Sequence, residues 1–236
     1  MMKKWFIQAF ASLAMLASGI AMANEVHIDV KAPIKMTDKA SLQRGAKIFV
    51  NYCLNCHSAN YMRYNRLQDI GLTDKQIKDN LLFAGEKVGE TMRISMNPKD
   101  AKKWFGAAPP DLSVEVRARG ADWVYAYLRS FYKDDTRPTG WNNQVFDKVA
   151  MPHVLYELQG VQVLDHETHT LKLEKAGKLN PQEYDQFVGD LTNFLAFMAE
   201  PAKQSRLWIG VVVLLFLSVL FVLVKKIKAE YWKDIR

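Results

Sequence analysis

The only two cysteines of this 236-residue chain stand two residues apart and are followed at once by a histidine, Cys53-Leu54-Asn55-Cys56-His57. Each thiol can add across one vinyl group of a porphyrin. The two-residue gap spaces the sulfurs for both vinyls of one ring, and the adjacent imidazole is placed for the iron. The pattern is that of covalently bound haem c. Other chemistries also use a cysteine pair. A redox dithiol expects a nearby βαβ pattern, and none is present. A zinc site expects a second pair of ligands at short spacing, also missing. A structural disulfide would leave His57 without a role.

One histidine on a haem iron leaves a sixth position, either filled by a second side chain or open to small molecules. Between residues 24 and 206 the methionines are Met36, Met62, Met92, Met96, Met151 and Met198. Met198 falls on an apolar helical stripe, Met36 precedes the first helix, and Met92 and Met96, four apart, read as packing on a helical turn. Met151 lies in a loop, kept out of a helix by Pro152. Spacing favours Met151, with His153, His166 and His169 as alternatives. A thioether would raise the potential and a second imidazole would lower it.

The elements that must hold these groups are mostly helical. Thr37 or Asp38 can cap a helix running to Tyr52, with Leu42, Gly45, Ala46, Phe49 and Tyr52 on one face. Gly45 weakens that helix, and a close helix–helix crossing is the expected reason. Residues 61–71 read as irregular. Thr73 and Gln76 have capping-box spacing. Pro109-Pro110 bars a helix, after which Asp111 and Asp122 are expected to cap two short ones. The second carries Trp123, Tyr127 and Phe131 as core. Residues 136–143 read as loop and 154–173 as a small hairpin. Asn180 and Pro181 open a last soluble helix with a stripe from Tyr184 to Met198. This helix is expected to cross the first one near Gly45, with haem behind them.

Both ends carry targeting signals. Residues 1–23 read as a secretory signal, with Lys3 and Lys4, an apolar stretch and Ala21-Met22-Ala23 for cleavage. Residues 207–224 hold no charge and are long enough, at about 27 Å of helix, to cross most of a bilayer core. Lys225, Lys226 and Lys228 follow, which puts residues 225–236 in the cytoplasm and residues 24–206 in the periplasm. The formal charge of +7 belongs mainly to these ends. The signal holds two lysines and the tail five basic and two acidic residues, which leaves 25 basic against 23 acidic residues elsewhere. No basic stripe with interleaved aromatics exists, which excludes a nucleic-acid surface.

The chain resembles the cytochrome c1 family, the membrane-anchored haem subunits of bacterial quinol–cytochrome c reductase. Arg44-Gly45-Ala46, the Cys53–Ser58 run, Met96-Asn97-Pro98, Trp104-Phe105-Gly106, Pro109-Pro110-Asp111-Leu112-Ser113, Arg117-Ala118-Arg119-Gly120, Gly140-Trp141-Asn142-Asn143 and Ala150-Met151-Pro152-His153 stand in family order, with the C-terminal span after them. The resemblance implies a mainly α fold: an enlarged class I cytochrome c domain with one C-terminal transmembrane helix in the inner membrane. It implies Met151 as the second axial ligand and Arg119 as partner of a haem propionate. Pro110 would pack near His57, and a carbonyl of the prolyl stretch would accept the imidazole N–H. Trp123 stands where many relatives have tyrosine and could donate to a propionate. His153 stands where they have proline, and reads as a surface or supporting residue.

The implied activity is single-electron transfer from a Rieske iron–sulfur protein to a c-type cytochrome, with quinol chemistry in the cytochrome b and Rieske subunits. The same residues would serve a cytochrome subunit of a terminal oxidase or another periplasmic reductase. With a labile sixth ligand they would serve a haem sensor or peroxidase.

Overall fold

A computed structural model of the chain describes residues 29–165 and 167–234. The signal expected at residues 1–23 and His166 lie outside the described residues. The first helix, α1, runs Lys39–Ile48 and is capped by Asp38, whose carboxylate accepts from the Ser41 amide. It passes without a break into a π-helical turn, Phe49–Cys53. The expected helix to Tyr52 is therefore present with its last turn widened, the Leu54 amide reaching back to Phe49 O. Such widened turns re-aim side chains at functional positions.

Residues 61–71, read as irregular, form strand β1 (Ala59–Arg63) and a 3₁₀ helix (Tyr64–Ile70). The alternation of this stretch is short, so its ordering comes from partners distant in sequence. α2 (Asp74–Asn80) begins on the complete Thr73–Gln76 capping box. β2 (Thr91–Met92) pairs antiparallel with β1. Met92 is therefore a buried strand residue facing Ala59, not part of a helical turn. α3 (Pro98–Phe105) follows, capped by Asn97.

Two expected caps fall elsewhere. α4 (Glu115–Arg119) is preceded by Val114 and α5 (Ala121–Arg129) by Gly120, neither end with a side-chain cap. Asp111 instead binds Asn60 and Ser113, and Asp122 accepts the Ala32 amide. Tertiary partners outcompete the local helix end for both carboxylates. α5 stops at Arg129, and Phe131 begins β3 (Phe131–Lys133), which pairs with β4 (Trp141–Asn143). The stretch read as loop at 136–143 is thus the turn and second strand of a hairpin. The hairpin expected over 154–173 is present but starts later: residues Tyr156–Gln159 form a short helix, α6, and the strands are β5 (Gly160–Asp165) and β6 (Thr170–Ala176).

The core is built where α1 crosses α7 (Pro181–Ala199), which starts on an Asn180–Glu183 capping box with Pro181 in its first turn. A Cβ at Gly45 would run into the Asp190 carbonyl and lie 2.6 Å from Phe194 Cβ, so only glycine lets the two backbones approach this closely. Arg44 grips Asp190 across the crossing through two bonds of 2.6 and 2.9 Å. Phe49 and Phe194 meet with ring centroids 5.8 Å apart, flanked by buried Leu42, Ala46 and Leu191.

Three residues, 200–202, separate α7 from the long α8 (Lys203–Tyr231). Glu200 at that joint receives Arg206 at 3.1 Å, with Arg117 at 3.9 Å and Lys203 at 4.0 Å. Residues Ser205–Tyr231 are long and apolar enough to cross a membrane, and the side chains of Leu207, Leu214, Phe216 and Phe221 are left bare of protein. A helix apolar all round with no protein against it has lipid as its natural surroundings. Its helical course continues through Lys225, Lys226 and Lys228, past the charge-free stretch expected from sequence.

Candidate haem site

The π-helical turn ends on Cys53 and the turn after it carries Cys56; both are free thiols, Cys53 buried and Cys56 half-buried. The Cys56 and His57 amides both bond back to Cys53 O, at 3.0 and 2.8 Å, which closes the turn tightly. Burial, with a smaller contribution from Cys56, pushes the Cys53 thiol up to about 12. Redox dithiols work by a lowered thiol pKa, and the sheets among the described residues are antiparallel pairs without a βαβ unit. The dithiol alternative has no support here.

His57 is buried, and its Nδ1 lies 2.8 Å from Pro110 O. A carbonyl can only accept, so Nδ1 carries the proton and Nε2 keeps its lone pair. Burial lowers the imidazole pKa against the opposing pull of the Pro110 bond and of Glu115 and Asp111. The ring is therefore a neutral, oriented donor.

A clasp fixes this geometry. Asp111 accepts from Asn60 N at 2.8 Å, Asn60 Nδ2 at 2.7 Å and Ser113 N at 2.8 Å. Ser113 Oγ accepts the Tyr61 amide, Ser58 O accepts the Leu112 amide, and Ser58 Oγ accepts the Ile94 amide. Pro110 is thus held against His57 by bonds on its C-terminal side. Burial disfavours the Asp111 carboxylate, but the bonds from Ser113 and Asn60 outweigh it and hold its carboxyl below the usual range.

Asp111→Asn puts an amide donor where an accepting oxygen faces N–H groups, and is expected to cost about 1–3 kcal/mol at neutral pH. Because the folded pKa is depressed, the contribution of Asp111 is complete above the unfolded value of 3.8 and is lost as pH falls through the folded one. Unfolding of both proteins by denaturant should therefore show a gap that is constant at neutral pH and narrows below pH ~4. A gap unchanged at pH 2 would remove the carboxylate from the clasp.

The second cluster surrounds Met151. Its loop is shaped by two buried asparagines. Asn143 Nδ2 donates to Tyr127 O at 2.8 Å, and Asn143 Oδ1 accepts from Val145 N and Phe146 N. Asn142 Oδ1 accepts from Lys148 N, while its Nδ2 donates to Asp134 and Asp147. Met151 Sδ lies 3.4 Å from the Tyr127 hydroxyl. Tyr127 is itself stacked on Trp123, centroids 5.0 Å apart, and edge-on to Phe131 at 5.1 Å.

Arg119 lies over Trp123, 4.5 Å from the ring centroid, with its Nε on Glu115 Oε1 at 2.5 Å. Glu115 joins the two clusters, since its charge acts on both His57 and Tyr127. Cys53, Cys56, His57 and Pro110 form one group and Arg119, Trp123 and Met151 a second, and Arg119 of the second is paired with Glu115.

Of the other sixth-ligand candidates, His169 is exposed at the β5–β6 tip and Met62, Met92 and Met198 are core residues. His153 is not at the surface. It is 3% exposed, parallel to Phe131 at 4.9 Å and edge-on to Trp141 at 5.1 Å, and burial drops its pKa to about 4. Adjacent Pro152 and the rings of Phe131 and Trp141 draw it inward, which its polar type conceals. Sequence reading placed Tyr127 in the core and missed its hydroxyl. It also missed the roles of Asn142, Asn143 and Ser58, for which no local pattern exists.

These residues fit a haem of the c type: two free thiols, a neutral imidazole with its Nε2 lone pair intact, and a thioether outside regular structure. A mainly helical domain arranged this way, followed by a long apolar helix, falls among the haem-carrying electron-transport proteins. Residues 28–235 match the Cytochrome C1 family, and the chain belongs to that family. It is 53% identical over 211 residues to a protein of Nitrosomonas europaea named ammonia monooxygenase gamma subunit, covering 89% of this chain and 90% of that one. It is 49% identical over 248 residues to cytochrome c1 of Allochromatium vinosum, covering 99% and 100%. To the mitochondrial cytochrome c1 haem protein of Saccharomyces cerevisiae it is 25% identical over 231 residues, covering 86% and 70%.

Proposed function

We propose that the chain is the haem subunit of a bacterial quinol–cytochrome c reductase, taking single electrons from a Rieske iron–sulfur protein and passing them to a c-type cytochrome. Haem, when bound, supplies a one-electron ferric–ferrous couple. Cys53 and Cys56 would hold it as thioethers, His57 Nε2 and Met151 Sδ would ligate its iron, and Arg119 and Trp123 would serve the propionates. The observation that carries this reading is the His57–Pro110 bond, which commits Nδ1 and leaves Nε2 for a metal. No acid, base or nucleophile is needed, so catalysis of quinol oxidation lies in the partner subunits, cytochrome b and the Rieske protein. Residues 1–23 direct export, residues 24–206 work in the periplasm, the C-terminal helix spans the inner membrane, and residues 225–236 end in the cytoplasm.

The name of the Nitrosomonas relative favours a second reading, a haem subunit attached to a membrane oxygenase. Purification of the native complex with a reduced-minus-oxidised spectrum separates the two. Cytochrome b and a Rieske protein in company with this chain support the first, and an oxygenase core overturns it.

Met151→Leu is expected to remove the far-red thioether-to-iron band and lower the midpoint potential, since the soft sulfur favours reduced iron. An unchanged band would place the sixth ligand elsewhere.

A further inference from the structure

Tyr127 is the one aromatic of α5 whose polar atom meets a side chain of the 144–151 loop among the bonds described, and that side chain is Met151. Its ring has no freedom to turn away. Trp123 covers one face at an interplanar angle of 9°, Phe131 stands edge-on, and Asn143 Nδ2 ties the Tyr127 carbonyl to the base of the loop. Burial pushes the phenol pKa well above its ordinary value, so the hydroxyl keeps its proton. A thioether sulfur has no proton to give, so the hydroxyl is the donor.

We propose that Tyr127 is a positioning residue for the sixth ligand: its hydroxyl donates to Met151 Sδ, holds the sulfur on the haem side of the loop and raises the midpoint potential. This rests on the reading of Met151 as an axial ligand.

A thioether sulfur has two lone pairs. With one committed to a metal, the second remains to accept from Tyr127. The donated proton draws electron density from the sulfur, which is then a poorer donor where the metal carries more charge. The positive end of the O–H dipole also points at the sulfur. Both effects disfavour the oxidised state relative to the reduced one, and they act in a half-buried setting where dipoles are screened less than in bulk water. This is the outer-shell control known for ligand histidines, with the sign reversed, because here the ligand accepts rather than donates. Packing of the ring without its oxygen would not produce this dependence on a single atom.

The test compares wild type, Tyr127→Phe and Met151→Leu as full-length holoprotein, by redox titration, the far-red band and denaturant unfolding. Tyr127→Phe keeps the ring stack and removes only the oxygen. It should retain covalent haem and the thioether band, with the band shifted. At fixed ambient potential its reduced-to-oxidised ratio should fall about threefold, ~28 mV on the scale of 59 mV per tenfold for one electron. Tyr127→Leu, which also removes the ring, should fall at least as far and in addition unfold at lower denaturant. A Tyr127→Phe protein with unaltered potential and band, beside a Met151→Leu protein that has lost the band, overturns the role of Tyr127 and leaves the axial assignment standing. A Met151→Leu protein that keeps the band overturns both.

Discussion

Loss of both Cys53 and Cys56 to alanine is expected to abolish haem retention after acid-acetone extraction, and either single change to reduce it at least tenfold. The addition of S–H across a vinyl group forms one C–S and one C–H bond and consumes the double bond, with no oxidant required. Each thiol therefore acts once and separately, and one thioether is a weaker guarantee than two. The backbone gives the prediction its structural basis, because the π-helical turn ends on buried Cys53 and the turn after it leaves Cys56 half-buried three residues later. Alanine changes neither the Cys53 O bonds to the Cys56 and His57 amides nor the His57–Pro110 bond. The variants should therefore still present an imidazole, and any haem the double variant holds should be extractable. Pyridine haemochrome absorbance in the pellet is the measurement. Normal covalent haem in both single variants would defeat the attachment chemistry.

The second large effect belongs to Gly45, where two physical arguments give opposite signs. Helix propensity says that Gly45→Ala should stabilise α1 by about 1 kcal/mol. The crossing says otherwise. The new methyl would meet the Asp190 carbonyl and Phe194 Cβ, which are backbone and backbone-proximal atoms of a packed helix and cannot rotate away. Overpacking of this kind costs about 1–3 kcal/mol, and here the backbone contact places it at the upper end. Net destabilisation of about 2 kcal/mol is expected, with Gly45→Val worse. The same shift would loosen the Arg44–Asp190 bonds. Denaturant unfolding of the detergent-solubilised holoprotein reads the sign directly. A Gly45→Ala protein more stable than wild type would mean that α1 and α7 do not meet as described.

Gly45 was also readable in advance, since a glycine on an apolar helical face weakens the helix and fits there best where a second backbone comes close. The Thr73 and Asn180 caps and the β5–β6 hairpin were likewise legible, because each is a local pattern of side chain and backbone. What escaped depends on partners far along the chain. Asp111 and Asp122 look like helix caps over four residues, yet bonds from Asn60 and Ala32 claim them instead. The β3–β4 hairpin is short and polar, and its asparagines face inward to shape the Met151 loop rather than outward as turn residues. At the candidate haem site the two cysteines and His57 stand out by spacing. The hydroxyl of Tyr127 does not, because a tyrosine on an apolar stripe gives no sign of where its oxygen points.

The joint at residues 200–202 has a consequence for encounter. Three residues supply at most about 10 Å of slack, and Arg206, Arg117 and Lys203 converge on Glu200 within that distance. With α8 in a bilayer, the globule would stand on a short stalk and reach little beyond it. In the proposed role, any shuttle between donor and acceptor would then fall to the visiting proteins, and turnover would depend on how far they travel.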